Sequence, residues 1–162
     1  MMMTSTLQIS QLGEYMSRHV ADVFSTLLYL PASLSEKPAA PPSPVRVSSW
    51  VGFAGDKVTG AVFVHYSEPF TRCATAAMLG LGPDEDVTQA QINTVIGEVA
   101  NMLTGGLKAW LGDAGRRCAM STPTIIRGKA FSVEPLPDVE RKTLVFECAG
   151  DQVVVEIHAK LN

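Results

Sequence analysis

Hydrophobic residues follow a helical period at the start of the chain. Apolar positions recur every three or four residues over about 7–30, which predicts an amphipathic helix there. Pro31 ends this pattern, because proline cannot continue a helix. The next stretch, SEKPAAPPSPVR, contains four prolines. We therefore predict a structureless, proline-rich loop at 38–44.

The period changes to that of β-strands in two later segments. The segment 45–66 is β-rich on both sides of Ala-Gly-Asp-Lys at 54–57, and the segment 142–161 is β-rich around Ala-Gly-Asp-Gln at 149–152. Glycine and aspartate tolerate the positive φ of tight turns, so each segment predicts a β-hairpin. CAMSTPTIIRG predicts a strand broken or edged by Pro123, and FSVEP a short strand at best.

Two helices are predicted between the hairpins, over about 69–79 and 88–111. Acidic residues at 84–86 precede the second helix, where they favour its positive N-terminal end. Hairpins with helices grouped between them predict an α+β fold. We expect a largely antiparallel sheet built from two hairpins plus central strands, with about three helices. A length of 162 residues predicts a single domain over 1–162.

The long helix has a broad apolar face and a narrow polar line opposite it. At 100° per residue, the apolar face holds Ile92, Val95, Ile96, Val99, Met102, Leu103, Leu107 and Trp110. The polar line, within about 40° of one direction, holds Thr94, Glu98, Asn101, Gly105 and Lys108. We call these five residues the α3 line.

Two adjacent glycines lie in this helix, although each costs about 1 kcal/mol relative to alanine. Gly105 belongs to the α3 line, where a missing side chain would let another surface approach closely. Alternatively, Gly105 and Gly106 pack against a neighbouring strand. Gly106 points about 100° away from the line, and the sequence gives it no role.

The candidate chemistry on the line is limited to Glu98 and Asn101. A glutamate can serve as a general base or as an ion-pair partner. An asparagine amide has one acceptor and two donors, which suits it to holding a water. The sequence has no P-loop and no dinucleotide-binding fingerprint. If the chain is an enzyme, the substrate must supply the rest of the site.

Composition excludes several classes of function. A net charge of -3 without a basic run argues against nucleic-acid binding. The three cysteines form no metal or disulfide pattern, so we interpret them as small core residues, and the three dispersed histidines as structural or surface residues. The sequence contains no uninterrupted stretch of 18 apolar residues, so it predicts no membrane-spanning helix, and no signal peptide is evident. We expect a cytoplasmic protein.

The stretch VIGEVANMLTGGLKAWL, followed by CAMSTPTIIRG, resembles the CheC/CheX/FliY family of chemotaxis phosphatases, and its CheX branch most closely. The family signature is Asp or Ser, three residues, E-x-x-N, and a later proline. Thr94, Glu98, Asn101 and Pro123 take these places. Thr94 replaces the usual Asp or Ser. Pro123 follows Asn101 after 21 residues, one fewer than the family pattern.

This resemblance implies hydrolysis of the phospho-aspartate of a CheY-like response regulator. The regulator would supply the Mg2+, so the chain would need no metal or cofactor of its own. Asn101 would orient the attacking water, and Glu98 would pair with a lysine of the regulator. The partner-docking contacts would be Thr94, Gly105, Lys108 and Pro123.

The resemblance also implies a homodimer, for which the proline-edged strand near 121–127 is a plausible pairing edge. One alternative remains open on the sequence. The chain could be a non-catalytic binding or dimerisation module of the same kind, which docks a signalling protein through the same helix face.

Overall fold

One antiparallel sheet and three α-helices make up the described part of the chain. The structure is a computed structural model, which describes residues 6–40, 44–82, 85–129 and 131–161. The α-helices are α1 (Ile9–Val23), α2 (Glu68–Leu79) and α3 (Gln89–Asp113). The strands are β1 (Ala32–Leu34), β2 (Arg46–Ala54), β3 (Val58–Ser67), β4 (Ala119–Met120), β5 (Thr124–Gly128), β6 (Glu140–Cys148) and β7 (Asp151–Leu161).

The strands follow the order β1-β6-β7-β3-β2-β4, and β5 also pairs with β2. Each of these pairings is antiparallel. The two predicted hairpins, β2–β3 and β6–β7, are adjacent in the sheet because β3 pairs with β7. The predicted α+β class with a largely antiparallel sheet is therefore confirmed.

The two hairpin turns need glycine for different reasons. At the β6–β7 turn, Ala149 and Gly150 have φ values of 50° and 76°, as a tight two-residue turn requires. At the β2–β3 turn, Gly55 does not have a positive φ, so our reason for that glycine was wrong. A side chain on Gly55 would instead overlap the carbonyl oxygen of Arg117. The glycine lets this turn lie directly on the backbone between α3 and β4.

The helices cover one face of the sheet. Alternate residues of a strand point to opposite faces, and the alternate set Val62, Val64 and Tyr66 of β3 joins the hydrophobic core with residues of all three helices. The other set on β3 includes Phe63 and His65, which face away from the helices. The sheet therefore has a helix-covered face and a second, more polar face.

The N-terminal helix begins and ends close to the predicted positions. After Val23 the chain forms a π-helical turn (Phe24–Leu28), which ends at Tyr29 with a φ of 55°. The short strand β1, which pairs with β6, was not predicted. Residues 41–43 of the predicted proline-rich loop lie outside the described residues. The segment FSVEP at 131–135 forms no strand.

Helix α3 extends two residues beyond its predicted end. It begins with a capping box: the Thr88 hydroxyl accepts from the backbone of Gln91, and the Gln91 side chain accepts from the backbone of Thr88. In the described ranges, no helix is both long and apolar enough to cross a bilayer.

Candidate functional site

The α3 line lies on the side of the helix that faces away from the core. Thr94, Glu98 and Lys108 are exposed, and Asn101 and Gly105 are half-buried. The opposite face carries most of the predicted apolar stripe into the core. One position of that stripe was predicted wrongly, since Met102 is 37% exposed, whereas the half-buried Trp110 packs against the core. The stripe is therefore narrower than the periodicity indicated.

Glu98 and Asn101 are one helical turn apart, so their side chains are neighbours on the surface. Among the described residues, neither side chain has a hydrogen bond or an ion pair. Thr94 differs, because its hydroxyl donates to the carbonyl of Ala90 at 3.0 Å. The Glu98 carboxylate and the Asn101 amide are thus both available to an external partner. The hydroxyl proton of Thr94 is already engaged in its hydrogen bond to Ala90.

Pro123 lies beside the α3 line. It follows β4 and precedes β5, and both strands pair with β2 at one edge of the sheet. A side chain on Gly97 would meet the Pro123 ring at 3.9 Å, an ordinary van der Waals distance. Pro123 therefore flanks the residue next to Glu98, and the structure brings the predicted proline to the predicted helix face.

The strand β5 is also held to α3 by a hydrogen bond. The Arg127 guanidinium donates to the side-chain oxygen of Asn93 at 2.6 Å. Asn93 precedes Thr94, so this bond fixes the edge strand next to the beginning of the α3 line. Sequence reasoning missed both residues, because their contact spans 34 positions and no local period signals it.

The two adjacent glycines of α3 have opposite surroundings. A side chain on Gly105 would meet no described atom within 4 Å, so the predicted bare patch is present. A side chain on Gly106 would overlap the ring of His19 from α1. The His19 ring lies 3.0 Å from the carbonyl of Met102 through Nε2, and it stacks on Tyr15. Gly106 therefore makes room for a helix–helix contact.

A groove continues from Gly105 along the last turns of α3. We call it the α3 groove; its volume is about 490 Å³, and its lining includes Gly105, Lys108, Gly112, Arg117, Cys118 and Met120. Gly112 also faces open space, with no described atom within 4 Å of an added side chain. It lies 18 residues after Thr94, which is five helical turns, so it belongs to the same direction as the α3 line. The periodicity could have found Gly112, but the predicted helix ended before it.

The cysteines follow the prediction only in part. Cys148 is buried and Cys118 half-buried, but Cys73 is exposed, so a core role for all three cysteines was wrong. Burial raises the pKa of the Cys148 thiol to about 11, with a further contribution from Cys73. In the described part of the chain, His, Cys, Asp and Glu side chains form no group of three or more that could hold a metal ion.

A second polar cluster lies on the sheet face away from the helices. The Ser48 hydroxyl lies 2.6 Å from Nδ1 of His65, and Nε2 of His65 donates to Glu156 at 2.5 Å. His158 and Arg141 each lie 3.5 Å from the other oxygen of Glu156. These residue types could form a nucleophilic triad, but Ser48 is 0% exposed. No substrate can reach its hydroxyl, so the cluster is structural.

The ionisation of Glu156 follows from this cluster. Burial alone would raise the pKa of the Glu156 carboxyl. Hydrogen bonds and positive charge, first from His65 and then from His158, oppose that effect and hold the pKa below its usual value. Glu156 is therefore a carboxylate at neutral pH.

Comparison with known proteins gives a family and a fold. Residues 47–147 match the family model for the chemotaxis phosphatase CheX. The structure is similar to the chemotaxis protein CheX from Vibrio vulnificus, with a TM-score of 0.79 and 22% identity over 95% of this chain and 99% of that one. A CheX protein from Desulfovibrio desulfuricans aligns with a TM-score of 0.75 and 23% identity, over 91% of this chain and 97% of that one.

The CheX–CheY–BeF3–Mg2+ complex from Borrelia burgdorferi is also similar. It aligns with a TM-score of 0.74 and 18% identity, over 92% of this chain and 97% of that one. A search of curated proteins gave no match. At these identities the solved structures support the fold alone, whereas the family model covers more than half of the chain.

Proposed function

Because this chain belongs to the CheX family of chemotaxis phosphatases, we propose that the α3 line is the face with which it acts on its substrate. The family makes the chain a phosphatase that acts on phosphorylated CheY. The observation that supports the proposal is the pair formed by the exposed Glu98 and the half-buried Asn101, whose side chains have no partner among the described residues. Both groups are directed outward from one rigid helix.

The Asn101 amide has the chemistry to position a water. Hydrolysis of an aspartyl phosphate needs a water in line with the bond from phosphorus to the aspartyl oxygen. An amide can accept one hydrogen bond from that water and donate to a phosphoryl oxygen with the same group. The products are the free aspartate of the regulator and inorganic phosphate. Catalysis by Asn101 would therefore be mainly positioning.

Glu98 provides the charge that fixes the docked partner. We expect its carboxylate to pair with a lysine of the regulator, one helical turn from the water held by Asn101. Thr94 and Pro123 would contact the regulator at one end of the line, and Gly105 and Lys108 at the other. Gly105 supports this arrangement because its open surroundings allow a second backbone to approach the helix.

The regulator would contribute the metal. The Borrelia burgdorferi complex contains CheY, BeF3 and Mg2+ together with CheX. We propose that Mg2+ likewise enters this site with the phosphorylated regulator, where it would neutralise charge on the phosphoryl oxygens. The residues of this chain would then need only to dock and to place the water.

The test separates positioning from docking. A CheY-type regulator from the same organism, phosphorylated in the presence of Mg2+, is the substrate, and phosphate release is measured. We expect Asn101→Ala to lower kcat by about 100-fold. We expect Glu98→Ala to raise KM by about tenfold, because it removes an ion pair between the proteins.

The control is Glu14→Ala, which removes an exposed carboxylate from α1, away from the α3 line. Turnover by Asn101→Ala at the wild-type rate would refute the proposed mechanism. The non-catalytic alternative makes a separate prediction: the regulator would bind without any change in the lifetime of its phosphate.

Three further expectations remain proposals. We propose a homodimer that pairs through β5, which joins β2 on one side and has no described strand on its other side. Light scattering that shows only monomer would contradict it. We also propose that residues 1–162 form a single domain and that the protein is cytoplasmic.

A further inference from the structure

We propose that the α3 groove extends the docking face for the same regulator beyond Lys108 and that it receives an acidic side chain of that protein. This inference rests on the proposed function and adds to it a feature of the partner. It makes Arg117, which the sequence did not single out, a residue that determines specificity.

The groove lies close enough to Asn101 to belong to the same interface. At 1.5 Å per residue, Gly105 lies about 6 Å along the helix axis from Asn101, and Gly112 about 16 Å. A stable protein interface buries about 800 Å² on each partner, which corresponds to a radius of about 16 Å. An interface of that size centred on Asn101 therefore reaches the far end of the α3 groove.

The charges of the groove support an acidic occupant. Lys108 and Arg117 are exposed and both line the groove, one from α3 and one from the segment before β4. In the described ranges neither side chain has an ion-pair partner, and no Asp or Glu lines the groove. Two unpaired positive charges on a chain with a net charge of -3 favour a negatively charged group between them.

The shape of the groove supports a protruding side chain. Its floor is nearly bare, because side chains on Gly105 and Gly112 would meet no described atom within 4 Å. Met120 adds a flexible apolar surface that can adjust to the stem of an inserted side chain. A backbone contact fixes the wall that carries Arg117, because the turn at Gly55 lies against the Arg117 carbonyl. The groove is thus preformed.

The experiment measures kcat and KM for phosphate release from the phosphorylated regulator, at low and at high salt. We expect Arg117→Glu to raise KM about fivefold at low salt, with kcat little changed, and Arg117→Lys to restore most of the affinity. High salt should reduce the difference, because it screens exposed charges. We expect Gly112→Leu, which fills the groove, to raise KM about tenfold without lowering the melting temperature.

The control is Lys160→Glu, which reverses an exposed charge on the sheet face away from the helices. Wild-type KM values for both Arg117→Glu and Gly112→Leu, with active wild-type protein, would overturn the groove proposal alone. A wild-type protein that leaves the regulator phosphorylated would instead overturn the proposed function. A changed molecular mass in light scattering with an unchanged KM would show that a second copy of this chain occupies the groove, which would also overturn the proposal.

Discussion

Replacing the two adjacent glycines of α3 by alanine should change stability in opposite directions. In Gly105→Ala the new methyl group meets open space. The variant then gains only the better helix propensity of alanine, about 1 kcal/mol. For a chain of this length, that gain corresponds to a rise in melting temperature of about 2–4 °C.

In Gly106→Ala the same gain is outweighed by a clash. The new methyl group overlaps the His19 ring, which must move away. Movement breaks the contact between His19 and the Met102 carbonyl and the stacking on Tyr15. Each loss costs about 1 kcal/mol, so the variant should be less stable than wild type by about 1 kcal/mol. The two variants should therefore differ by about 2 kcal/mol.

Denaturant unfolding of the two variants provides the assay, and His19→Ala provides the control background. Once the ring is absent, Gly106→Ala should become stabilising by about the same amount as Gly105→Ala. Equal stabilities of Gly105→Ala and Gly106→Ala in the wild-type background would refute the assignment of Gly106 to the α1–α3 contact. Gly105→Ala should in addition raise KM for the regulator, since it narrows the docking face.

Two further predictions concern stability. The folded-state pKa of Glu156 is depressed, so its contribution is present above the unfolded pKa and is lost as pH falls through the folded value. The free energy of unfolding should therefore fall below about pH 4.5 more steeply in wild type than in Glu156→Gln, and parallel curves would contradict this. Thr88→Ala removes the N-cap of α3 and should cost about 1 kcal/mol. An unchanged denaturation midpoint would show that the capping box contributes nothing.

The α3 line could be predicted from the sequence because helical periodicity is a local property. The spacing of Glu98 and Asn101 fixes their common face wherever the helix lies in the fold. The hairpins could also be predicted, since each forms between neighbouring segments. The fold class then followed from the order of these local elements.

The surroundings of the line could not be predicted, because they depend on residues far apart in the chain. The contact between His19 and Met102 spans 83 positions, so no window of the sequence shows why Gly106 is a glycine. The strand β1 exists because Ala32–Leu34 lies beside β6, and three residues alone carry too little pattern. The wall of the α3 groove likewise forms only when β4 joins β2.

The placement of Glu98 and Asn101 on one helix determines where the chain can change in length. Each residue inserted into α3 would turn every later position by 100°, so two residues inserted between Glu98 and Asn101 would place the amide about 140° from the carboxylate, on another face of the helix. Pro123 does not depend on the helical period of α3, because turns and short irregular segments around β4 separate it from the helix. These connections can change by a residue and still bring the proline to Gly97, so the spacing between Asn101 and Pro123 is not fixed by the helical period. Insertions and deletions among relatives should therefore fall between α3 and β5 and be absent from the helix itself.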